Sequence, residues 1–437
     1  MLLDATINIV GYVESKYNIL CSTEDGKILL YNSLYKNLIE LNSEEYEAIK
    51  YGEVDLASDL GKVLIDYKFV VHPAINELEY YKYHYNLSCF DNTMLSLSIL
   101  TTLACNMACP YCYETKTNSF MTEQVADQII KWVDSCLTGK RTLSINWFGG
   151  EPLMRLNIIE YLSQEFMRLC DKYNVEYKAS ITTNGYLLNT KTIQILEKYN
   201  IFDLQVTLDG NKYFHDAMKF LADGKGTYER IVSNIVNYCT ISTSHSPLRI
   251  RVNLSDENYD SISLLLDDLP DIVKEHSSIF FRWLYSNNNS NWKEFSKEMQ
   301  ADSAYKGIFS LLKTAHEKGY HIENRCEYED FGFCEADNLG FYTIDPLGNI
   351  YLCVHDYKPE FAVGNVVEGV IAAKQAEFYS FKNTSVLNDR ECLDCKVLPI
   401  CNGGCRKFRF EGKKQCIFEK DNLDLYVQNI YHRCLII

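Results

Sequence analysis

Three cysteines at short spacing carry the clearest chemistry in this 437-residue sequence. They stand as Cys105-X3-Cys109-X2-Cys112, directly after the apolar run LSLSILTT. Three soft thiolates on one loop suit an iron-sulfur cluster, and a four-iron cluster that lacks a fourth thiolate keeps one iron open for a small ligand. Zinc is the alternative, but zinc sites favour paired knuckles with four ligands, and no fourth ligand lies nearby in the sequence. The spacing therefore favours a cluster with one open iron.

A second set of cysteines crowds the C-terminal part of the chain. Its members follow the pattern Cys334-X13-Gly348-X4-Cys353 and then Cys392-X2-Cys395-X5-Cys401-X3-Cys405, with Cys326, Cys416 and Cys434 on either side. The chain has 17 cysteines and no secretory signal at its N-terminus, so short regular spacings indicate metal binding rather than disulfides. One or two zinc ribbons are the alternative for this region, because CX2C pairs also suit zinc.

The elements that must position the first cysteines are strands alternating with amphipathic helices. The strand candidates are LSLSILTT, LSINWFG, YKASITTNG, DLQVTLDG, LRIRVNL and SIFFRWL. Six such units in this order predict an α/β fold with a partial barrel, smaller than the closed eight-stranded form. Polar residues follow several of these strands, and such barrels keep their chemistry at the carboxyl ends of the strands.

Together these features resemble the radical S-adenosylmethionine (SAM) family, on the CX3CX2C triplet and on the phrase Gly149-Gly150-Glu151-Pro152. The resemblance implies that the open iron binds the methionine part of SAM, and that cleavage of the cofactor yields a 5′-deoxyadenosyl radical that takes a hydrogen atom from the substrate. It also implies the cofactor-binding residues, which are Tyr111, Gly149, Gly150, Glu151, Pro152, Thr183, Asn184, Asp209 and Arg251. Turn formation is the competing interpretation for Asn184 and Asp209, and side-chain packing for Tyr111.

The C-terminal cysteines resemble a SPASM domain, a unit that holds two auxiliary [4Fe-4S] clusters. The resemblance assigns Cys334, Cys353 and Cys405 to the first auxiliary cluster, with Cys326 as the natural fourth ligand. It assigns Cys392, Cys395, Cys401 and a later cysteine to the second, and we favour Cys416 over Cys434 for that place. With the radical site, the expected total is three [4Fe-4S] clusters.

Residues 1–90 contain no clustered cysteines and predict short strands followed by helices. This head resembles the RiPP recognition element, a small winged-helix unit in which a precursor's leader segment adds as a strand to an open sheet edge. A domain that serves only packing or dimerisation is the alternative. The expected domains are then the head at 1–90, the barrel at 96–315 and the SPASM domain at 316–437.

Length, domain order and a Tyr- and Asn-rich composition look most like streptide-type maturases, which join a lysine side-chain carbon to a tryptophan ring. The expected partners are a precursor peptide with a leader and an external one-electron reductant of flavodoxin or ferredoxin type. Thioether-forming (sactipeptide-type) and sulfatase-type maturation are alternatives, and a non-catalytic zinc-bearing binding protein is an alternative of another class. The sequence identifies no catalytic base and no oligomeric state.

Charge and hydropathy disfavour two classes of partner, nucleic acids and membranes. A formal net charge of −16 disfavours nucleic-acid binding, and a local basic run at 406–414 is expected to be a solvated face. No stretch approaches the roughly 18 uninterrupted apolar residues that span a bilayer. We therefore expect a cytoplasmic protein with no membrane partner.

Overall fold

The structure is a computed structural model that describes residues 11–23, 25–112, 114, 116–255, 257–284, 302–322, 334–414 and 416–434, together with Met1, Leu3 and Ile7.

The head comprises five short strands and three helices. The strands are β1 (Val13–Glu14), β2 (Asn18–Ser22), β3 (Ile28–Asn32), β4 (Asn37–Leu41) and β5 (Val70–Val71), and the helices are α1 (Ser43–Tyr51), α2 (Asp59–Asp66) and α3 (Glu77–Phe90). Strands β2, β3 and β4 form an antiparallel sheet in that order, while β1 pairs with β5. Asn42 caps α1 by accepting a hydrogen bond from the Glu45 amide, and the Glu45 carboxylate accepts one from the Asn42 amide in return.

The run at 55–71 differs from the single helix that its pattern predicts. Ser58 caps α2, and the helix ends at Asp66. Lys68 then adopts a left-handed conformation with φ of 62°, which turns the chain back so that Val70 and Val71 pair with β1. The β-branched valines are buried in this pairing, which explains why they leave the helix.

The barrel is built from six parallel strands. They are β6 (Met94–Leu100), β7 (Thr142–Phe148), β8 (Glu176–Thr183), β9 (Ile201–Leu208), β10 (Leu248–Leu254) and β11 (Ser277–Trp283), each paired in parallel with the next. The helices between them are α4 (Glu123–Cys136), α5 (Leu156–Tyr173), α6 (Thr190–Lys198), α7 (Lys212–Met218), α8 (Tyr228–Ile241), α9 (Ile262–Asp268) and α10 (Asp271–His276). All six predicted strands are present, and the α/β partial-barrel prediction is confirmed.

The apolar stripe of each crossover helix packs against the sheet. In α4, Ala126, Ile129 and Val133 recur at helical spacing and are fully buried. Burying each Ile or Val side chain of this kind contributes about 1.5–3 kcal/mol. Trp147 of β7 is fully buried as well and stacks on Phe166 of α5, at 6.4 Å between ring centroids. This packing fixes the strand ends that carry the site.

The sheet continues beyond the expected barrel boundary at residue 315. Helix α11 (Asp302–Glu317) leads to β12 (His321–Ile322), which pairs with β11, while β13 (Phe341–Ile344) pairs in parallel with β6 at the opposite edge. Strands β14 (Asn349–Tyr351), β15 (Gly364–Asn365) and β16 (Gly369–Val370) follow as an antiparallel extension. The C-terminal unit is therefore joined to the barrel by strand pairing.

The rest of the C-terminal unit is helical. Its helices are α12 (Gln375–Asn383), α13 (Arg390–Leu393), α14 (Leu398–Cys401), α15 (Arg406–Phe410) and α16 (Leu423–Cys434). Helix α16 packs on strands β2 and β3 of the head, where Ile19 and Val427 belong to one apolar core. Tyr81 and Tyr85 of α3 share another core with Leu398 of α14. None of the helices in the described part of the chain has the length and apolar character that crossing a bilayer requires.

Candidate active site and cluster-binding cysteines

The cysteine triplet lies on the loop that follows β6, at the carboxyl end of the parallel strands. The loop is held from two sides by main-chain hydrogen bonds. The Ala108 amide donates to the Phe220 carbonyl over 2.9 Å, and the Leu103 amide donates to the Ser119 carbonyl over 3.0 Å. Lys116 Nζ donates to the Met107 carbonyl over 2.7 Å. The loop is therefore fixed by the chain itself.

Burial raises the pKa of all three thiols in the triplet. For Cys105 the pKa rises to about 12, with the nearby Glu151 charge as a further cause. Burial is also the first cause for Cys109 and for Cys112. A buried thiolate requires a cation or a metal nearby, and three thiols without a fourth are the donor set of a four-iron cluster with one open iron. The residues present fit that group.

No three His, Cys, Asp or Glu side chains among the described residues converge closely enough to hold a single metal ion. A four-iron cluster does not require such convergence, because its thiolates bind different iron atoms.

The glycine pair after β7 lets the strand end approach the cysteine loop. A Cβ at Gly149 would lie 2.3 Å from the Thr102 carbonyl oxygen, and one at Gly150 would lie 2.2 Å from the Ala104 carbonyl oxygen. The Gly150 amide donates to Thr102 over 3.0 Å, and the Glu151 amide donates to Ala104 over 3.0 Å. Any side chain at either glycine would push the loop away from the strand.

Glu151 is fully buried and connects the ends of two strands. One carboxylate oxygen accepts hydrogen bonds from the Leu153 amide at 3.0 Å and the Thr183 hydroxyl at 2.7 Å. The other accepts from the Asn184 amide at 2.8 Å. Burial raises the pKa of Glu151, opposed by these hydrogen bonds. Pro152 begins a short 3-10 turn after it. Glu151 thus orders the site, which adds to the cofactor contact expected from the sequence.

Asn184 contacts the cysteine loop directly. Its side-chain amide donates to Asn106 Oδ1 over 2.8 Å and approaches Cys105 Sγ at 3.8 Å. Its own oxygen accepts from the Tyr186 amide at 3.0 Å. The turn chemistry that the sequence offered for Asn184 is present, and the side chain also contacts the loop that bears the cysteines.

Tyr111, Asp209 and Arg251 belong to one hydrogen-bond network. The Tyr111 hydroxyl donates to Asp209 Oδ2. Asn253 Nδ2 donates to Asp209 Oδ1 over 3.1 Å, and Arg251 Nε donates to Asn253 Oδ1 over 2.8 Å. Burial is the first cause that raises the pKa of Asp209. Asn253 is a site residue that the sequence analysis missed, although it lies two positions after Arg251 and so shares its face of β10.

Lys219 is a second missed residue. It lies at the C-terminal end of α7 with 5% of its surface exposed. Burial raises the pKa of Cys109 and of Asp209, and the Lys219 charge opposes both rises. Its ammonium makes no hydrogen bond or ion pair with any described residue. A buried cation beside a cysteine and two carboxylates is a ready position for an anionic ligand group. No local sequence signal marks it.

His215 supports the turn that presents Asp209. Its Nδ1 accepts from the Asp209 amide at 3.3 Å, and its Nε2 lies 3.1 Å from the Thr227 hydroxyl. Burial lowers the pKa of His215 to about 3, and the nearby Lys219 charge is the second cause of this shift. The imidazole is therefore neutral at pH 7, as its acceptor role requires.

The C-terminal cysteines fall into two groups by their electrostatic neighbours. Burial raises the pKa of Cys353 to about 11, with Cys405 as a further cause. The surrounding chain desolvates the Cys334 thiol and raises its pKa to about 12, with Cys353 as a further cause, although the residue as a whole is exposed. Cys401 is likewise raised by burial, with Cys416 and Cys395 as further causes. Cys392 stands one turn before Cys395, whose amide donates to the Cys392 carbonyl over 3.0 Å. Cys326 lies outside the described residues, as does the side chain of Cys434.

The basic run at 406–414 is paired with acids. Lys407 Nζ lies 2.9 Å from Asp356, and Lys414 Nζ lies 2.8 Å from Glu391. Arg406 is buried and donates from Nε to Asp337 Oδ1 over 2.6 Å. This pair links the segment after Cys405 to the turn after Cys334. These cations are therefore engaged within the protein, and Arg406 at the start of the run is buried, unlike the solvated face that the sequence predicts.

Comparison with known proteins shows what the barrel is similar to. Residues 99–269 match the sequence model of the Radical SAM superfamily, and this segment includes the cysteine triplet, the glycine pair and Asp209. The radical SAM cyclopropyl synthase TigE of Paramaledivibacter caminithermalis is 22% identical, over 93% of this chain and 89% of that protein.

Two solved structures share the fold. The structure of anSMEcpe with bound AdoMet and the Cp18Cys peptide has a TM-score of 0.61 at 18% identity, over 78% of this chain and 98% of that one. Streptococcus suis SuiB bound to the precursor peptide SuiA has a TM-score of 0.51 at 16% identity, over 90% of this chain and 95% of that one. The cysteine-rich C-terminal segment fits iron-sulfur binding.

Proposed function

We propose that this chain, a radical SAM enzyme, matures a ribosomally synthesised precursor peptide by installing an intramolecular carbon-carbon cross-link from a lysine to a tryptophan. The proposal includes two auxiliary [4Fe-4S] clusters beside the radical cluster, an external flavodoxin- or ferredoxin-type reductant and a cytoplasmic location. A reducing compartment suits a chain whose 17 cysteines include many at metal-binding spacings.

The residues of the barrel mouth would hold the cofactor as follows. Cys105, Cys109 and Cys112 would bind three irons of the radical cluster, and the Lys219 ammonium would receive the carboxylate of SAM's methionine part. Tyr111 and Asp209 would face its nucleoside part. When bound, cluster and cofactor together supply the 5′-deoxyadenosyl radical that takes a hydrogen atom from the substrate.

The open edge of strand β4 is the observation that carries the peptide part of the proposal. The opposite edge of this sheet is covered, because the Leu3 amide donates to the Leu20 carbonyl and the Ser22 amide to the Met1 carbonyl. Within the described residues β4 pairs with β3 alone, and a groove of about 400 Å³ runs beside it. An unpaired strand edge over a groove is the feature that binds an extended peptide by strand addition.

Two of the similar proteins support a peptide substrate. SuiB was solved with a precursor peptide and anSMEcpe with the Cp18Cys peptide. The match to SuiB covers 90% of this chain and the match to anSMEcpe 78%, and the broad coverage of SuiB supports the precursor-peptide type. TigE is named a cyclopropyl synthase, and a cyclopropyl ring is made of carbon-carbon bonds.

Iron and sulfide analysis tests the cofactor assignment. We expect about twelve irons in the anaerobically reconstituted protein and about eight after Cys105, Cys109 and Cys112 are all replaced by Ala, because only the radical cluster is lost. Four irons in the wild type that vanish in the variant would contradict the auxiliary clusters and leave zinc for the C-terminal cysteines. Mass spectrometry of a precursor encoded nearby then tests the reaction: a lysine-tryptophan cross-link removes two hydrogens, and sequencing of the fragments locates the bond.

A further inference from the structure

The groove beside β4 has two apolar walls. One wall belongs to helix α2, which contributes Val63 and its C-terminal neighbour Tyr67. The other belongs to the C-terminal helix α16, which contributes Ile430 beside Tyr31 of β3. Ile430 is 5% exposed, so it is a fixed part of its wall. The head thus supplies one wall of the groove and part of the other, and the cysteine-rich unit completes the second wall with Ile430.

The two walls stand on opposite faces of the sheet. Leu38 of β4 packs against the core that contains Tyr31 and Ile430. The next residue, Ile39, packs against the separate core that contains Leu64 of α2. Adjacent residues of a strand point to opposite faces. Both faces of β4 therefore have apolar cover at the open edge.

A strand that pairs with β4 must repeat this alternation, so its successive side chains point in turn to the α2 wall and the α16 wall. A sheet covered on one face only would select a peptide with an apolar residue at every second position. Cover on both faces selects apolar residues that are adjacent in sequence. The selectivity follows from which faces are covered, and it does not depend on the charge of Lys36, which also lines the groove.

We propose that the partner of this groove is an extended leader segment with two adjacent apolar side chains, one packed on Val63 and the other on Ile430. The proposal rests on the leader-binding role proposed above and names the chemistry of that leader. It also makes α16, outside the head, part of the recognition site.

A random twelve-residue peptide library displayed on phage, selected against the full-length reconstituted protein, tests the proposal. We expect the selected peptides to share an adjacent apolar pair. In fluorescence anisotropy a selected peptide should bind about tenfold more weakly to Ile430→Ala and to Val63→Ala, as expected for loss of methylene contacts in an apolar pocket. Val427→Ala and Leu64→Ala are matched controls: both residues are fully buried in the same two cores, and neither lines the groove.

Peptide variants complete the test. Replacing one member of the apolar pair by Ala should make binding insensitive to Ile430→Ala, and replacing the other should make it insensitive to Val63→Ala. The opposing outcome is a set of selected peptides with alternating apolar residues. Their binding would be weakened by Val63→Ala, and Ile430→Ala would weaken it no more than Val427→Ala does. This result would overturn the two-wall proposal and leave leader binding intact. A selection that yields no binder to the wild-type groove would overturn the leader role itself.

Discussion

At the scale of single residues, the site contains two buried acids and one buried cation. Asp209 and Glu151 are both almost fully buried, and their oxygens are occupied by donors from the chain. Lys219 is equally buried, and its ammonium has no partner among the described residues. The two acids are therefore engaged within the protein, whereas the Lys219 ammonium is available to a ligand.

Replacing Lys219 by Met should weaken SAM binding about 10- to 100-fold, because a charge-assisted hydrogen bond is worth about 1.5–3 kcal/mol. The iron content should not change, since Lys219 binds no iron. Equilibrium dialysis of SAM against the reconstituted protein measures the effect without any turnover. Lys225→Met is the control: it follows on the same turn, is exposed, and pairs with Asp223 at 2.7 Å. Unaltered affinity in Lys219→Met, or loss of iron, would refute the role.

Sequence patterns predicted those site residues whose signal is local. The cysteine triplet, the glycine pair and Asp209 each follow a strand that alternation alone identifies, so topology brings them to one edge. Lys219 and Ile430 gave no such signal, because their roles come from long-range packing: Lys219 beside Cys109, and Ile430 beside β4. The bounds of short elements were also missed. At Val70 the sequence predicts helix, but pairing with β1 makes the residue part of a strand.

At the scale of elements, the cysteine loop depends on its neighbours more than on its own sequence. The end of β7 and the segment after α7 both bond to it, at Thr102 and at Ala108. These contacts preset the loop, so binding of the cluster need not order it. In the C-terminal unit, the segment after Cys405 is likewise held by its neighbours. The Arg406 guanidinium, which pairs with Asp337, also donates to the Lys382 carbonyl over 3.0 Å.

Gly150→Ala should abolish the radical cluster while the fold persists. The new Cβ would lie 2.2 Å from the Ala104 carbonyl oxygen, so the backbone before Cys105 must move. We expect iron to fall from about twelve to about eight atoms, with the circular dichroism spectrum unchanged. Gly139→Ala is the control, since its Cβ meets nothing within 4 Å although its φ is +78°. Full iron content and normal SAM affinity in Gly150→Ala would show that the loop tolerates the shift.

At the scale of the whole molecule, the head and the cysteine-rich unit are packed together. The Tyr81 hydroxyl donates to Asn402 Oδ1 over 2.8 Å, next to Cys401. Lys16 Nζ donates to the Leu393 carbonyl over 2.8 Å, between Cys392 and Cys395. The head is therefore in direct contact with the segments that bear Cys392, Cys395 and Cys401.

Deleting residues 1–90 should therefore abolish leader binding and also destabilise the cysteine-rich unit. The deletion removes Ile19 and Leu29 from the core that α16 shares, and it exposes an apolar face on which Cys395 and Cys401 pack. We expect about eight irons, loss of the second auxiliary cluster and aggregation on size exclusion. SAM cleavage by the barrel should survive, because Cys105 and its supports lie outside the deletion. Val63→Ala, which alters only the groove, should keep about twelve irons. A monodisperse truncated chain with about twelve irons would instead establish the head as a separable module.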